Sequence, residues 1–346
     1  MPNDHFRYAL ELIRNDGASA GQFPVEIDWE PIRQWARFDA LRRDEPQENS
    51  QQECPALPYW DEALGKPYVS GFELTENADE IVPTHYLGSP ARSLANQLVD
   101  EGKLEIDTYG FRVLAYPVND RKPATFSMTV ETVNSDPVVT EGDLAELLPR
   151  ARQCGDLTEN DLPAFVPQRV LDECRQLTSA ANGQETGGIL IGGLGRDAAT
   201  GAVFLETTAQ ISAQHTVAAE TSLAFTPETW TQVQGAIDLR QRNEIMLGWW
   251  HSHPIKAWCA KCPPEKRKKC PLLVDYFSAQ DRLLHRTVFP AAYSIALVVN
   301  ELAEDKQTIS MFGWRKGLVV QRGFQVLDCP RATEPDRDSN NTQEEV

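Results

Sequence analysis

Gly248-Trp249-Trp250-His251-Ser252-His253-Pro254 closes an apolar run that begins at Ile245. In extended backbone, residues two apart point the same way. His251 and His253 can therefore offer both imidazoles to one metal ion. Zinc suits imidazole, and a catalytic zinc takes three protein ligands and keeps a fourth position for water. A third ligand and a base must come from elsewhere in the chain, and Asp281 and Glu185 fill those posts.

Glu185, the run from Gly248 to Pro254, Ser278 and Asp281 together resemble the signature of the JAB/MPN (JAMM) metalloprotease family: Glu, then His-x-His-Pro, then Ser-x-x-Asp. Glu185-Thr-Gly-Gly-Ile-Leu-Ile-Gly192 is also similar to that family's Glu-x-x-Gly-x-Leu-x-Gly strand. The resemblance extends over residues 165–325 and implies an α/β fold, a mixed sheet flanked by helices. It implies that His251, His253 and Asp281 bind one catalytic zinc, that Glu185 is the general acid/base, and that Ser278 helps hold the oxyanion. It implies an isopeptidase or peptidase, deubiquitinase-like, acting on a ubiquitin-like protein or its conjugates, with E1- and E2-like enzymes as companions. The alternative is a scaffold or binding protein that uses the same fold without catalysis; such relatives generally lack a motif residue, whereas all five positions stand here. One departure is plain: 24 residues, Pro254 to Phe277, separate His253 from Ser278, far more than the family's usual spacing.

Composition narrows the classes. At 346 residues the chain is long enough for two domains. A net charge of −18 argues against a nucleic-acid binder, which needs clustered Lys and Arg. No apolar run approaches the roughly 18 residues of a membrane span, and the charged start, with Asp4, Glu11, Arg14 and Asp16, is unlike a secretory signal. A cytoplasmic location is expected. Nucleobase deaminases also combine zinc with a Cys-x-x-Cys pair, but here the order of His, Glu, Pro and Cys is wrong for them.

Outward from the motif, the sequence predicts a separate α+β domain over 1–150, of no recognised family and suited to substrate recognition, a metalloprotease domain over 165–328, and a disordered tail over 329–346. Phe6, Leu10 and Ile13 recur at helical spacing, as do Ile32, Trp35 and Ala36, so two helices are expected before residue 43. A helix over 91–101 and a hairpin of strands 111–117 and 125–130 follow. Residues 140–167, acidic and proline-containing, are expected to be the junction. Val170, Leu171, Cys174 and Leu177 then stripe a helix closed by Asn182-Gly183. The glycines 192–195 are not a phosphate loop, because no Lys-Ser/Thr follows them. Cys54, Cys154 and Cys174 read as incidental or buried thiols, Trp249 as core, Trp250 as a flank of the cleft, and His285 as structural.

The insertion 254–277 carries Cys259, Cys262 and Cys270 with six basic and two acidic residues. Close cysteine spacing in a cytosolic enzyme points to metal before disulfides. A second, structural metal on these thiolates, with a remote donor such as His285 or Asp275, is one reading. A solvated basic loop is the other, since structural zinc takes four ligands.

Overall fold

The computed structural model describes residues 6–44, 56–73, 81–118, 137–159, 161–213, 216–219, 222–263, 265, 276–302 and 306–327. Strands β1 (Phe6–Ile13), β2 (Ser19–Val25), β3 (Leu57–Trp60), β4 (Tyr68–Glu73), β5 (Ile81–Pro83) and β6 (Gly110–Pro117) form one sheet. Its order is β2-β1-β6-β4-β3, with β5 against β4. Helices α1 (Glu30–Arg42) and α2 (Gly88–Asp100) accompany it. Tyr8, Leu10, Trp29, Ile32, Phe72 and Leu87 are at the centre of its core.

The first expected helix is instead β1. Phe6, Tyr8, Leu10 and Leu12 also alternate at period two, and β1 pairs antiparallel with β2 on one side and β6 on the other, which only extended backbone can do. The second helix and the one near residue 91 form as expected, as α1 and α2. Strand 111–117 is present as β6, but it pairs with β1 and β4. The proposed hairpin mate at 125–130, Cys54 and the tail 329–346 lie outside the described residues.

A ten-stranded mixed sheet follows: β7 (Val139–Gly142), β8 (Ala151–Cys154), β9 (Ala164–Pro167), β10 (Gly187–Asp197), β11 (Val203–Ser212), β14 (Ile245–His253), β15 (Ile295–Glu301), β16 (Gln307–Arg315), β17 (Leu318–Arg322) and β18 (Phe324–Leu327). The numbers between belong to a separate pair, β12 (Thr216–Ala219) and β13 (Ser222–Phe225). The order is β17-β16-β15-β14-β10-β11-β9-β18-β8, with β7 beside β10. Helices α3 (Leu144–Leu147), α4 (Gln168–Ala180), α5 (Pro227–Arg240), α6 (Ile255–Trp258) and α7 (Ala279–Val288) are the α-helices described beyond residue 137. This is the expected α/β architecture, a mixed sheet with helices preceded by a sheet-rich N-terminal region.

Residues 140–167 are not a loose junction. β7 runs parallel to β10, β9 parallel to β11 and β18, and Ala164–Pro167 is buried throughout. The glycines after Ile191 serve strand packing: a Cβ on Gly192 would lie 2.0 Å from the Glu206 carbonyl oxygen, and one on Gly195 2.4 Å from the Phe204 ring. Helix α4 ends where expected, with Asn182 and Gly183 at φ of 51° and 83°. Cys174 is buried on its inner face, and burial raises its thiol pKa. No described helix is long and apolar enough to cross a membrane.

Packing divides the chain into two compact units. One gathers Met1–Pro137 with Phe277–Ile295 and Phe312–Gln321; the other comprises Val138–Tyr276, Ala296–Met311 and Arg322–Val346. Within the first, Arg286 of α7 donates to the Asp28 carboxylate at 2.7 Å, and Tyr293 meets Phe38 at 5.8 Å between ring centroids. Gly317, at φ 73°, passes so close to α1 that a Cβ there would come within 2.7 Å of Ile32 Cγ1.

Candidate metal centre

β14 lies between β15 and β10, so both of its backbone edges are paired. Extended backbone puts Trp249, His251 and His253 on one face and Trp250 and Ser252 on the other. Trp249 stacks on His251 with ring centroids 4.5 Å apart, and Tyr276 stacks on His253 at the same separation. Trp249 thus shares the histidine face. Trp250, expected beside the cleft, is fully buried on the opposite face, where its Nε1 donates to Gln210 Oε1 at 3.1 Å.

The imidazoles are only 1% and 2% exposed, and their Nε2 atoms are 3.0 Å apart. Asn300, 1% exposed at the end of β15, has its Oδ1 3.1 Å from His253 Nδ1. An amide oxygen only accepts, so the proton sits on Nδ1 and the Nε2 lone pair is left facing His251. Asn300 Nδ2 lies 3.4 Å from Thr308 Oγ1. The ligand atoms of His251, His253 and Asp281 all lie within 4.8 Å of one another. Two imidazoles and a carboxylate suit zinc, whose bonds to nitrogen of about 2.0–2.1 Å let one ion reach nitrogens at this separation.

Asp281 is held by a capping box at the start of α7. Its Oδ2 accepts from the Ser278 backbone N–H at 2.7 Å, while Ser278 Oγ accepts from the Asp281 N–H at 3.0 Å. The cap leaves the carboxylate with further lone pairs and the Ser278 hydroxyl with its hydrogen to donate. Glu185, 8% exposed, stands just before β10. Gly187 pairs with His251, and Thr186 is tied to Ser252 by two bonds, Ser252 N–H to Thr186 O at 2.8 Å and Thr186 N–H to Ser252 Oγ at 3.0 Å. Glu185 therefore immediately precedes the segment that is bonded to the histidine strand.

Cys259 is buried and Cys262 half-buried, on a turn closed by Cys262 N–H to Cys259 O at 3.0 Å. Cys270 and Asp275 lie outside the described residues. His285, the suggested remote donor, is enclosed on α7 among Phe277, Phe289 and Trp314. Burial pushes its pKa down to about 3, against a hydrogen bond with the Ser294 backbone. Asn300 escaped the sequence reading, though a signal existed: it is the lone amide closing the apolar run Ile295-Ala-Leu-Val-Val299.

Residues 167–257 match the family model described as prokaryotic homologs of the JAB domain. The match includes Glu185, His251 and His253 and stops before Ser278 and Asp281. The C-terminal region carries a JAB-type domain, as the motif resemblance implied. None of the curated proteins matches the chain. Among solved structures, the solution structure of protein DSY2949 from Desulfitobacterium hafniense is 18% identical. It covers 48% of this chain and 92% of that one at a TM-score of 0.32, too low to define the fold.

Proposed function

We propose that the C-terminal region is a zinc-dependent peptidase that cleaves the isopeptide or peptide bond following a ubiquitin-like protein. The observation that carries the reading is the convergence of the buried His251 and His253 with the half-buried Asp281. Glu185, next to Thr186 that is bonded to Ser252 between the two histidines, supports it.

Zinc held by these three side chains would make hydroxide available near neutral pH, because coordination lowers the pKa of water to about 7. Glu185 accepts the proton released as water attacks the scissile carbonyl and hands it to the departing amine, the work of a positioned carboxylate. The Ser278 hydroxyl donates to the carbonyl oxygen as negative charge develops there. Asn300 keeps His253 in the tautomer that a metal requires. The Ser252–Thr186 bonds anchor the backbone beside Glu185.

The test is cleavage of a ubiquitin-like fusion and of a lysine-linked conjugate by the purified full chain. Cleavage is expected to stop when zinc is stripped and to return when zinc is restored. The His251→Ala/His253→Ala variant should take up one zinc fewer than wild type. Cleavage that survives rigorous chelation, or a wild-type chain that takes up no more zinc than the double variant, would sink this reading.

A further inference from the structure

The six-stranded sheet ends in β3, whose four residues Leu57-Pro58-Tyr59-Trp60 hydrogen-bond to β4 on one side only among the described residues. Proline suits such an edge, because it has no N–H to offer a second neighbour. Beside this edge opens a groove of about 470 Å³. Phe6, Tyr59 and Trp60 give it three aromatic rings, and Phe6 meets Trp60 nearly edge-on, with centroids 5.9 Å apart and planes at 66°. Glu62 and Glu73 complete the lining, which contains no Lys or Arg.

Those carboxylates set the chemistry. Among the described residues neither the Glu62 nor the Glu73 side chain has a salt-bridge or hydrogen-bond partner. Two unmatched negative charges beside aromatic faces, whose quadrupoles are also negative, make a place for a cation. The chain already uses this affinity: the Lys66 ammonium stands 4.8 Å from the centre of the Trp60 ring. The groove is too large for an ammonium group alone, and it runs along a strand edge whose backbone N–H and C=O groups can pair with an extended chain. We propose that this groove binds a Lys or Arg side chain presented by an extended polypeptide, the cation lying between the aromatic rings and the carboxylates of Glu62 and Glu73. The N-terminal region is thereby a reader of basic segments. The assignment does not depend on the metal centre.

The probe is a ten-residue peptide of alternating Ala and Lys, titrated calorimetrically into the full-length protein at low and at physiological salt. Its Lys→Glu counterpart and the small cation N-acetyl-lysine methylamide serve as comparisons. The Lys peptide should bind and the Glu peptide should not. E62Q/E73Q should weaken binding at least tenfold with the melting temperature unchanged, Trp60→Ala should do the same, and Glu185→Gln should have no effect. If the Trp60 variant unfolds, the charge reversal E62K/E73K replaces it and should abolish binding. Full affinity in E62Q/E73Q would reduce the interaction to general attraction toward a chain of net charge −18 and overturn the proposal. Absence of binding at millimolar peptide would also overturn it. Equal affinity for the small amide would overturn the polypeptide as occupant.

Discussion

The two sheets treat polar residues in opposite ways. In the six-stranded sheet the interior is aromatic and aliphatic: Trp29 packs edge-on against Phe72 at 5.0 Å and stacks on Tyr86 at 6.5 Å. Its one buried acid in β1, Glu11, reaches Arg112 at 3.7 Å. In the ten-stranded sheet, polar side chains gather in the interior where neighbouring central strands end: Glu185, His251, Ser252, His253 and Asn300 are all buried. Burying polar groups costs free energy that hydrogen bonds only partly return. An interior built for stability alone would resemble the first sheet. The second gives up apolar packing to gather two histidines, a carboxylate and an amide in its interior, an arrangement more common at functional sites than in cores.

The sharpest way to break this comparison is to exchange the consequences of mutation. Glu185→Gln is expected to lower turnover of a ubiquitin-like conjugate by about 10²–10⁴-fold, the usual contribution of a general acid/base, with zinc content and melting temperature unchanged. Phe72→Ala should do the reverse, costing about 3–5 kcal/mol of stability by denaturant titration while turnover per folded molecule stays at the wild-type value. If Phe72→Ala silenced the folded fraction, or Glu185→Gln lowered stability instead of turnover, the division of labour would be wrong.

A smaller effect separates positioning from packing. Asn300→Leu should weaken zinc affinity about 10–100-fold, as loss of a partner to a ligating histidine does. Asn300→Asp, which still accepts from His253 Nδ1, should restore it. Competition with a chromophoric chelator measures both, and equal loss in the two variants would assign Asn300 to packing alone.

The smallest effect concerns His285, which is buried like the site histidines but placed among rings. Its pKa is about 3 when folded, against about 6.5 when unfolded. Between those values the unfolded chain binds a proton that the folded chain refuses, so stability falls as pH drops from about 6.5 toward 3, by up to about 1.4 kcal/mol per pH unit. Unfolding free energies at pH 7 and 5.5 should differ less in His285→Gln than in wild type by about that amount. Parallel pH profiles for the two proteins would contradict the assignment.

What could be read from the sequence was what is local. The apolar run into His251, the Ser278/Asp281 cap and the Asn182-Gly183 stop depend on neighbours within a few residues, and each appears where expected. What failed depended on distant partners. Phe6, Leu10 and Ile13 fit a helix while Phe6, Tyr8, Leu10 and Leu12 fit a strand, and the decision lay with β2 and β6. Residues 140–167 look like a linker until β10 and β11 supply parallel partners. Trp249 and Trp250 are indistinguishable by composition, and only the pleat, counted from the histidines, assigns Trp249 to their face. Asn300 is 47 residues from the histidine it orients, so no short motif could include it.

The unit that begins with the first 137 residues is completed by Phe277–Ile295 and Phe312–Gln321. A chain emerging from the ribosome therefore carries Ile32 and Asp28 for a long time before Gly317 and Arg286 exist to meet them. Such non-local closure delays folding and leaves apolar surface waiting. Asp281 travels on that same late segment. The candidate third metal ligand and the pieces that close the N-terminal unit thus arrive together, so a nascent or truncated chain ending before residue 277 has neither.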